Sequence, residues 1–555
     1  SYLRRLDHDL PAGRLVAFQA LRVRDDARFE PRGAFEDVLP DAFRALATLA
    51  GRYLVGYSPG SANALLVVDT ADGSVIDARH PRFPGSWRGT GLIDLEAAGD
   101  HFVLAVESRA NEVASCYELF ALREDAVEVV DHACQRYDGV GRIQDLELRE
   151  DGLLLATTGD HLLVRTPRGG EGSLELDPWH GVLELSPDGE RLLLTRTWFG
   201  SWVPLSFGMA SLEDPLEPEL LYESDVRYTS TSRFVRDGEA VLSPEGFSTY
   251  APQLHDAETG EPLGPSGDAT PKWNYYGPGI EFGGDRFVYW HWNFSQWDTS
   301  VYDISGDTPV RVGLSDLDHG DPTYIPRPGT GQAYLFASDR ESPFGCSPAL
   351  WLIGRDGTFT RRAGTVFTGA RELRRGFLAG SSSYEDRTLA VVRDPELNRA
   401  PVADAGAPQT LECEAGGARA TLDGRGSYDP DSTPGTDDDI ASVRWTVDGG
   451  FAGDALASET WLGKGSHRAV LELIDRLEAE AAAETTVDVV DTRPPEVSLA
   501  LNPAVNQDGS SGQASWIGDG WWVRGDADDL CDGPLAARTG IALPEAARAA
   551  PYEVT

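Results

Sequence analysis

Short runs in which apolar and polar residues alternate recur along residues 40–395, and each is entered through a turn ending in glycine. The glycines are Gly51, Gly99, Gly152, Gly189, Gly238, Gly284, Gly331 and Gly376, followed by runs such as Arg52-Tyr53-Leu54-Val55 and Asp285-Arg286-Phe287-Val288-Tyr289. A spacing of two predicts strands, and glycine supplies the backbone freedom that a tight hairpin needs. An alternating strand precedes most turns, as at Leu92-Ile93-Asp94-Leu95, Ile143-Gln144-Asp145-Leu146 and Val182-Leu183-Glu184-Leu185. Successive glycines are 37 to 53 residues apart, close to the length of one four-stranded propeller blade. The pattern therefore predicts an all-β chain whose residues 1–397 form an eight-bladed β-propeller, or a seven-bladed one if one unit is a loop insertion. The last unit lacks an outer strand after Arg387–Asp394, and the strand-like Gly13–Leu21 is expected to supply it and close the ring, removing its open edges.

At Asn398-Arg399-Ala400-Pro401 the rhythm changes to short β-runs with polar turns around Trp445, which predicts a β-sandwich over 398–492. Asp491-Thr492-Arg493-Pro494-Pro495 reads as a stiff linker. Residues 493–555 are too few for a full sandwich and read as the start of a further β-module or a small C-terminal cap.

Two family resemblances refine this outline. The unit Leu183-Glu184-Leu185-Ser186-Pro187-Asp188-Gly189-Glu190-Arg191-Leu192 resembles the strand-turn-strand repeat of TolB-like and WD40-like bacterial propellers. The segments Pro401–Gly406, Thr421–Asp431, Ile440–Gly449 and Gly465–Asp475, in that order, resemble a PKD-type immunoglobulin-like domain of secreted bacterial proteins. The usual W-x-F-G-D-G turn of that family stands here as Trp445-Thr446-Val447-Asp448-Gly449-Gly450. These resemblances imply a secreted or cell-surface protein, with the periplasm as the other compartment they allow.

Composition narrows the partners. With 90 acidic against 48 basic side chains in 555 residues the formal charge is −42, which repels nucleic acid and anionic membranes. Hydrophobic residues make up 41% of the chain, including 14 Trp, 17 Tyr and 20 Phe, so it can build real cores and is not disordered throughout. No apolar run is long enough to span a bilayer, so membrane insertion is not expected. The chain starts at Ser1 and has a single methionine, Met209, which reads as a processed form or fragment with partner modules or assembly partners beyond its C-terminus. Two lysines accompany a large arginine excess, which reads as a compositional bias of the source.

The cysteines, Cys116, Cys134, Cys346, Cys413 and Cys531, show no metal-ligand spacing. Cys116 and Cys134 flank a hairpin centred near residue 125, so an antiparallel register sets them opposite each other. They read as a disulfide or as two buried thiols.

Zinc-protease, nucleophile-elbow and P-loop motifs are absent from the sequence. Residues just before each innermost strand would surround one mouth of a propeller channel. By repeat position these are Arg142, His180, Tyr276, His319, Asp321 and Arg371, and the neighbouring Trp179 and Trp273 would line the same mouth with aromatic faces. The mixture suits a glycan, because sugar rings stack on indoles while Arg, Asp and His bond hydroxyls. The plainer reading is aromatic gap-filling between blades. Asp429, Asp431, Asp437, Asp438 and Asp439 crowd one loop, which suits calcium, a cation that takes carboxylates and carbonyls from irregular loops. The alternative is a solvated acidic loop. Asp316, Asp318 and Asp321 form a sparser cluster.

The combined expectation is an extracellular recognition or adhesion protein: the propeller binds a glycan or protein ligand, and the PKD-like domain acts as spacer or interaction module. A propeller lyase or glycoside hydrolase is the enzymatic alternative. A structural part of an extracellular assembly is the third.

Overall fold

The computed structural model describes residues 45–58, 64–71, 75–79, 91–108, 114–123, 126–136, 143–197, 204–224, 232–245, 249–268, 270–271, 279–292, 297–315, 323–339, 347–364, 367–382, 389–501, 523–529 and 531–535. The chain is all-β, and among these residues the one helical element is the 3-10 turn Pro395–Leu397. It divides into two compact units, 1–398 and 399–555.

In the first unit every sheet is an antiparallel meander whose strands pair in chain order. Four-stranded sheets occupy 45–79, 91–136, 233–271, 280–315 and 323–364. Residues 145–223 form one seven-stranded sheet. Two meanders share its long strand Glu171–Leu185, which pairs through Glu171–Glu175 with the strand before it and through Val182–Leu185 with the strand after. The final meander, 367–393, has three strands. The proposed closing strand Gly13–Leu21 lies outside the described residues.

Alternation puts successive residues of one strand into different cores. In Arg286–Trp292, Phe287 and Tyr289 pack with Val235, Leu242 and Leu254 of the preceding meander. Val288 and Trp290 pack with Tyr324, Ala333 and Leu335 of the following one. Apolar side chains on both faces are what face-to-face stacking of twisted sheets requires. The same arrangement recurs at each step along the chain, and it returns to its start: Leu54 of the first meander shares a core with Leu373, Phe377 and Ala379 of the last. The first strands of the end meanders also lie side by side, with Thr48 Oγ1 donating to the Glu372 carbonyl at 2.8 Å. The meanders therefore close into a ring, a β-propeller.

All eight glycines of the sequence repeat have positive φ, from +59° at Gly99 to +87° at Gly238. These turns pack against one another around one face. An added Cβ at Gly99 would lie 2.4 Å from the Glu150 carbonyl oxygen, and one at Gly283 would lie 2.8 Å from the Gly331 Cα.

Arginines sew the same face. Arg149 Nη1 donates to the Gly189 carbonyl at 3.0 Å, Arg191 Nη2 to Gly238 at 2.8 Å and Arg236 Nε to Ile304 at 2.9 Å. Arg286 Nε reaches the Arg355 carbonyl at 2.7 Å, and Arg374 Nη1 reaches Gly51 at 3.3 Å, from the last meander to the first. A planar guanidinium with several donors can serve two carbonyls or a carbonyl and a carboxylate together, which a lysine cannot do in fixed geometry. These five arginines thus have a structural use that composition alone does not reveal.

Among the described residues the second unit holds three sheets: one pairs Glu496–Leu501, Val523–Asp529 and Gly533–Leu535, and the other two enclose one core. The larger runs Gln409–Glu412, Glu480–Val490, Gly465–Asp475, Ile440–Val447 and Gly450–Gly453, and the smaller pairs Gly417–Asp423 with Ala457–Gly463. Ala418, Ala420, Leu422 and Leu462 of the small sheet meet Trp445, Leu471, Leu473, Val487 and Val489 of the large one. The fully buried Trp445 satisfies its Nε1–H on the Ala455 carbonyl at 3.1 Å. Asp448 and Gly449, with φ of 49° and 82°, form a two-residue hairpin loop between Val447 and Gly450. That doubly positive φ is the type I′ geometry for which Asp-Gly is suited.

Candidate functional site

The ring has two unlike faces. On one, the first and second strands of each meander join by the tight glycine turns. On the other lie the strand ends that flank 80–90, 137–144, 224–232, 272–279 and 316–322, the stretches of sequence between one meander and the next. An up-and-down meander places these strand ends on the same side of the ring, while the glycine-turn side carries one long loop of its own, 257–269. Arg142, Trp273, Tyr276, His319 and Asp321 belong to these connections and lie outside the described residues. Trp179 and His180 sit in Glu171–Leu185, where His180 pairs with Gly159 and Arg196; their side chains are outside the described residues too.

Arg371 is the candidate whose surroundings are described. It is exposed on the innermost strand Phe367–Arg374, and its charge favours the ionised forms of Asp94 and Glu96. These acids belong to a larger group: Asp94 and Glu96 on Gly91–Ala98, Asp145 and Glu147 on Asp145–Leu148, and Glu184 on the next innermost segment. Burial pushes all five carboxyls up. Asp145 and Glu184 reach about 7 and Glu96 about 8, with neighbouring carboxylates adding to the rise at Asp145 and Glu96. Asp94 is raised, and Glu147 lies well above the usual carboxylate range. Arg233, 3.6 Å from Glu184, opposes the rise at Glu184, Glu147 and Asp145.

These acids also hold the ring together. Asp145 Oδ2 accepts from Leu183 N at 2.7 Å, and Glu184 Oε2 accepts from Phe234 N at 2.9 Å. Glu281 Oε2 likewise accepts from Arg236 N at 2.7 Å. Each bond joins consecutive meanders, because an innermost strand has no strand partner on its axial side to satisfy its neighbour's amides. Sequence reading missed this group. The signal was Asp-Leu-Glu recurring at 94–96 and 145–147, with both acids on one face of an otherwise apolar strand.

Of the five loop aspartates in the second unit, Asp429, Asp431 and Asp439 converge. All are buried, and one carboxylate oxygen from each lies within 4.8 Å of the others. Asp438 instead caps its own loop, accepting from Thr433 N and Oγ1 at 2.8 Å each, and Asp437 is exposed. Asp475, almost fully buried, was not singled out by the sequence; its charge, with those of Asp439 and Asp431, adds to the burial that raises Asp429 to about 6.

Two disulfides are present. Cys116 and Cys134 are directly opposite in their hairpin and are bonded to each other. Cys413 is bonded to Cys531 across 118 residues, tying the strands 523–535 to the core of the second unit. No helix among the described residues is long and apolar enough to cross a membrane.

No protein-family model matches the chain, and no characterised protein matches it in sequence. Solved structures with a similar fold include the Dos1 propeller, at 10% identity over 63% of this chain and 90% of that one, with a TM-score of 0.46. The C-terminal WD40 domain of Sif2 matches at 10% identity over 64% and 99%, TM-score 0.43. The β-propeller domain of Cps50 (Swd1) from Myceliophteria thermophila matches at 11% identity over 65% and 99%, TM-score 0.37.

Proposed function

We propose that this chain is an extracellular or cell-surface recognition protein: an eight-bladed propeller that binds a glycan or protein ligand on its long-connection face, followed by a PKD-like module serving as spacer. The observation that carries the reading is the asymmetry of the ring. One face is closed by glycine turns packed on one another and laced by arginines, which leaves little for a ligand to read. The other holds the strand ends that flank most of the long connections, and binding residues concentrate on loops held by a rigid scaffold. Two disulfides support an oxidising compartment. The half-buried acids favour binding over turnover, since Asp145 and Glu184 are committed to backbone amides between meanders rather than paired across an open cleft. The ligand's chemistry is neutral or cationic, given the charge of −42.

The test is a glycan-array and surface-protein screen of the full chain, with mass spectrometry of any carbohydrate after incubation. Variants in which 80–90 or 225–231 is replaced by a Gly-Ser segment of equal length are expected to lose binding at least tenfold while keeping their unfolding midpoint. Binding that survives both replacements and the same change at 316–322 overturns the assignment of the face. Cleaved product in the spectra replaces recognition with catalysis.

A further inference from the structure

We propose that Asp429, Asp431 and Asp439 form a structural calcium site in the second unit. The three carboxylates are 4%, 2% and 5% exposed, so solvent cannot screen their mutual repulsion. Asp431 is answered by Arg399, which donates Nε to Oδ1 at 2.8 Å and its backbone N to Oδ2 at 2.7 Å. Asp429 is not answered in this way. Its Oδ1 accepts from Asp431 N at 2.7 Å, while its Oδ2 is buried with no hydrogen-bond partner. An orphaned oxygen on a carboxylate grouped with two further buried carboxylates is a costly arrangement unless a cation lies among them.

The donor set selects the cation. All three ligands are carboxylates, with no histidine or cysteine in the group, which disfavours zinc and copper. Oxygens within 4.8 Å of one another fit around a centre with metal–oxygen distances of about 2.4 Å, the calcium range. The loop carrying them is irregular, with turns at Asp429–Ser432 and Thr433–Thr436, and such a loop meets the variable coordination of calcium better than the strict octahedron of magnesium. Asp475 adds a fourth carboxylate nearby, already bonded through Oδ1 to Leu477 N and Ala479 N at 2.8 Å. An ion here would join the loop 429–439 to the chain entering the unit at Arg399.

The experiment uses the full chain, stripped with EGTA and dialysed, with calcium chloride or magnesium chloride as the only added ligand. Calorimetry and measurement of retained metal are expected to show one saturable calcium site, and a thermal midpoint that rises with calcium and not with equimolar magnesium. Asp429→Asn and Asp439→Asn are expected to weaken that site at least tenfold, and the exposed Asp437→Asn to leave it unchanged. Absence of saturable calcium uptake by the unmodified chain overturns the proposal whatever the variants do. So does uptake that Asp429→Asn leaves intact, or an equal response to magnesium.

Discussion

At the scale of single residues, the turns between the first two strands depend on glycine for two separable reasons. Gly99 has a φ of +59° and a backbone oxygen 2.4 Å from where a Cβ would stand, whereas Gly284 has a φ of +74° and open space around it. Gly284→Ala is expected to cost about 1 kcal/mol, the strain of a left-handed L-residue. Gly99→Ala adds a clash with the neighbouring meander and is expected to cost roughly 2–4 kcal/mol. Urea unfolding of both variants checks this, and equal costs would mean that turn-to-turn packing contributes nothing. The glycines were legible in the sequence because the need for positive φ is local. The arginine bridges were not: Arg149 and Gly189 approach only once two meanders are stacked. Cys413 and Cys531 were illegible for the same reason, being 118 residues apart in the chain.

At the scale of elements, the innermost strands carry a pH dependence. Burial raises Glu96 to about 8 and Asp145 and Glu184 to about 7, so the folded ring binds protons that the unfolded chain has released. Their stabilising contribution is complete below the unfolded values near 4 and is lost as pH rises through 7 to 8. Stability of the first unit is therefore expected to fall between about pH 5 and pH 8, by an amount on the order of several kcal/mol. Denaturant unfolding across that range measures it. Glu96→Gln should flatten the profile, and a flat profile in the unmodified chain would contradict the burial of these acids. The alternating pattern located each of these strands, while the purpose of the acids became visible only through partners on the next meander. In the second unit the aspartate-rich loop was legible as a cluster. The separation of Asp429, Asp431 and Asp439 from Asp437 and Asp438 required the fold of the loop, and Asp475 comes from a different strand.

At the scale of the whole molecule, the repeat in the sequence translated into stacked meanders because each strand offers an apolar residue to both neighbouring sheets, and such a stack must either cap its ends or close. It closes, and the seam between last and first resembles the others: a shared apolar core, a side chain bonded across innermost strands, and an arginine reaching a turn carbonyl. A linear stack of repeats has two ends that open first, so its protection against solvent grades from the middle outward. A ring with a shared apolar core at every junction has no such ends. Backbone amides of the innermost strands Ala45–Leu49 and Phe367–Arg374 are accordingly expected to exchange with deuterium as slowly as those of Asp145–Leu148. Faster exchange at the first two would reveal a weak junction, whereas level exchange means that chain position confers no vulnerability and the ring comes apart as one body.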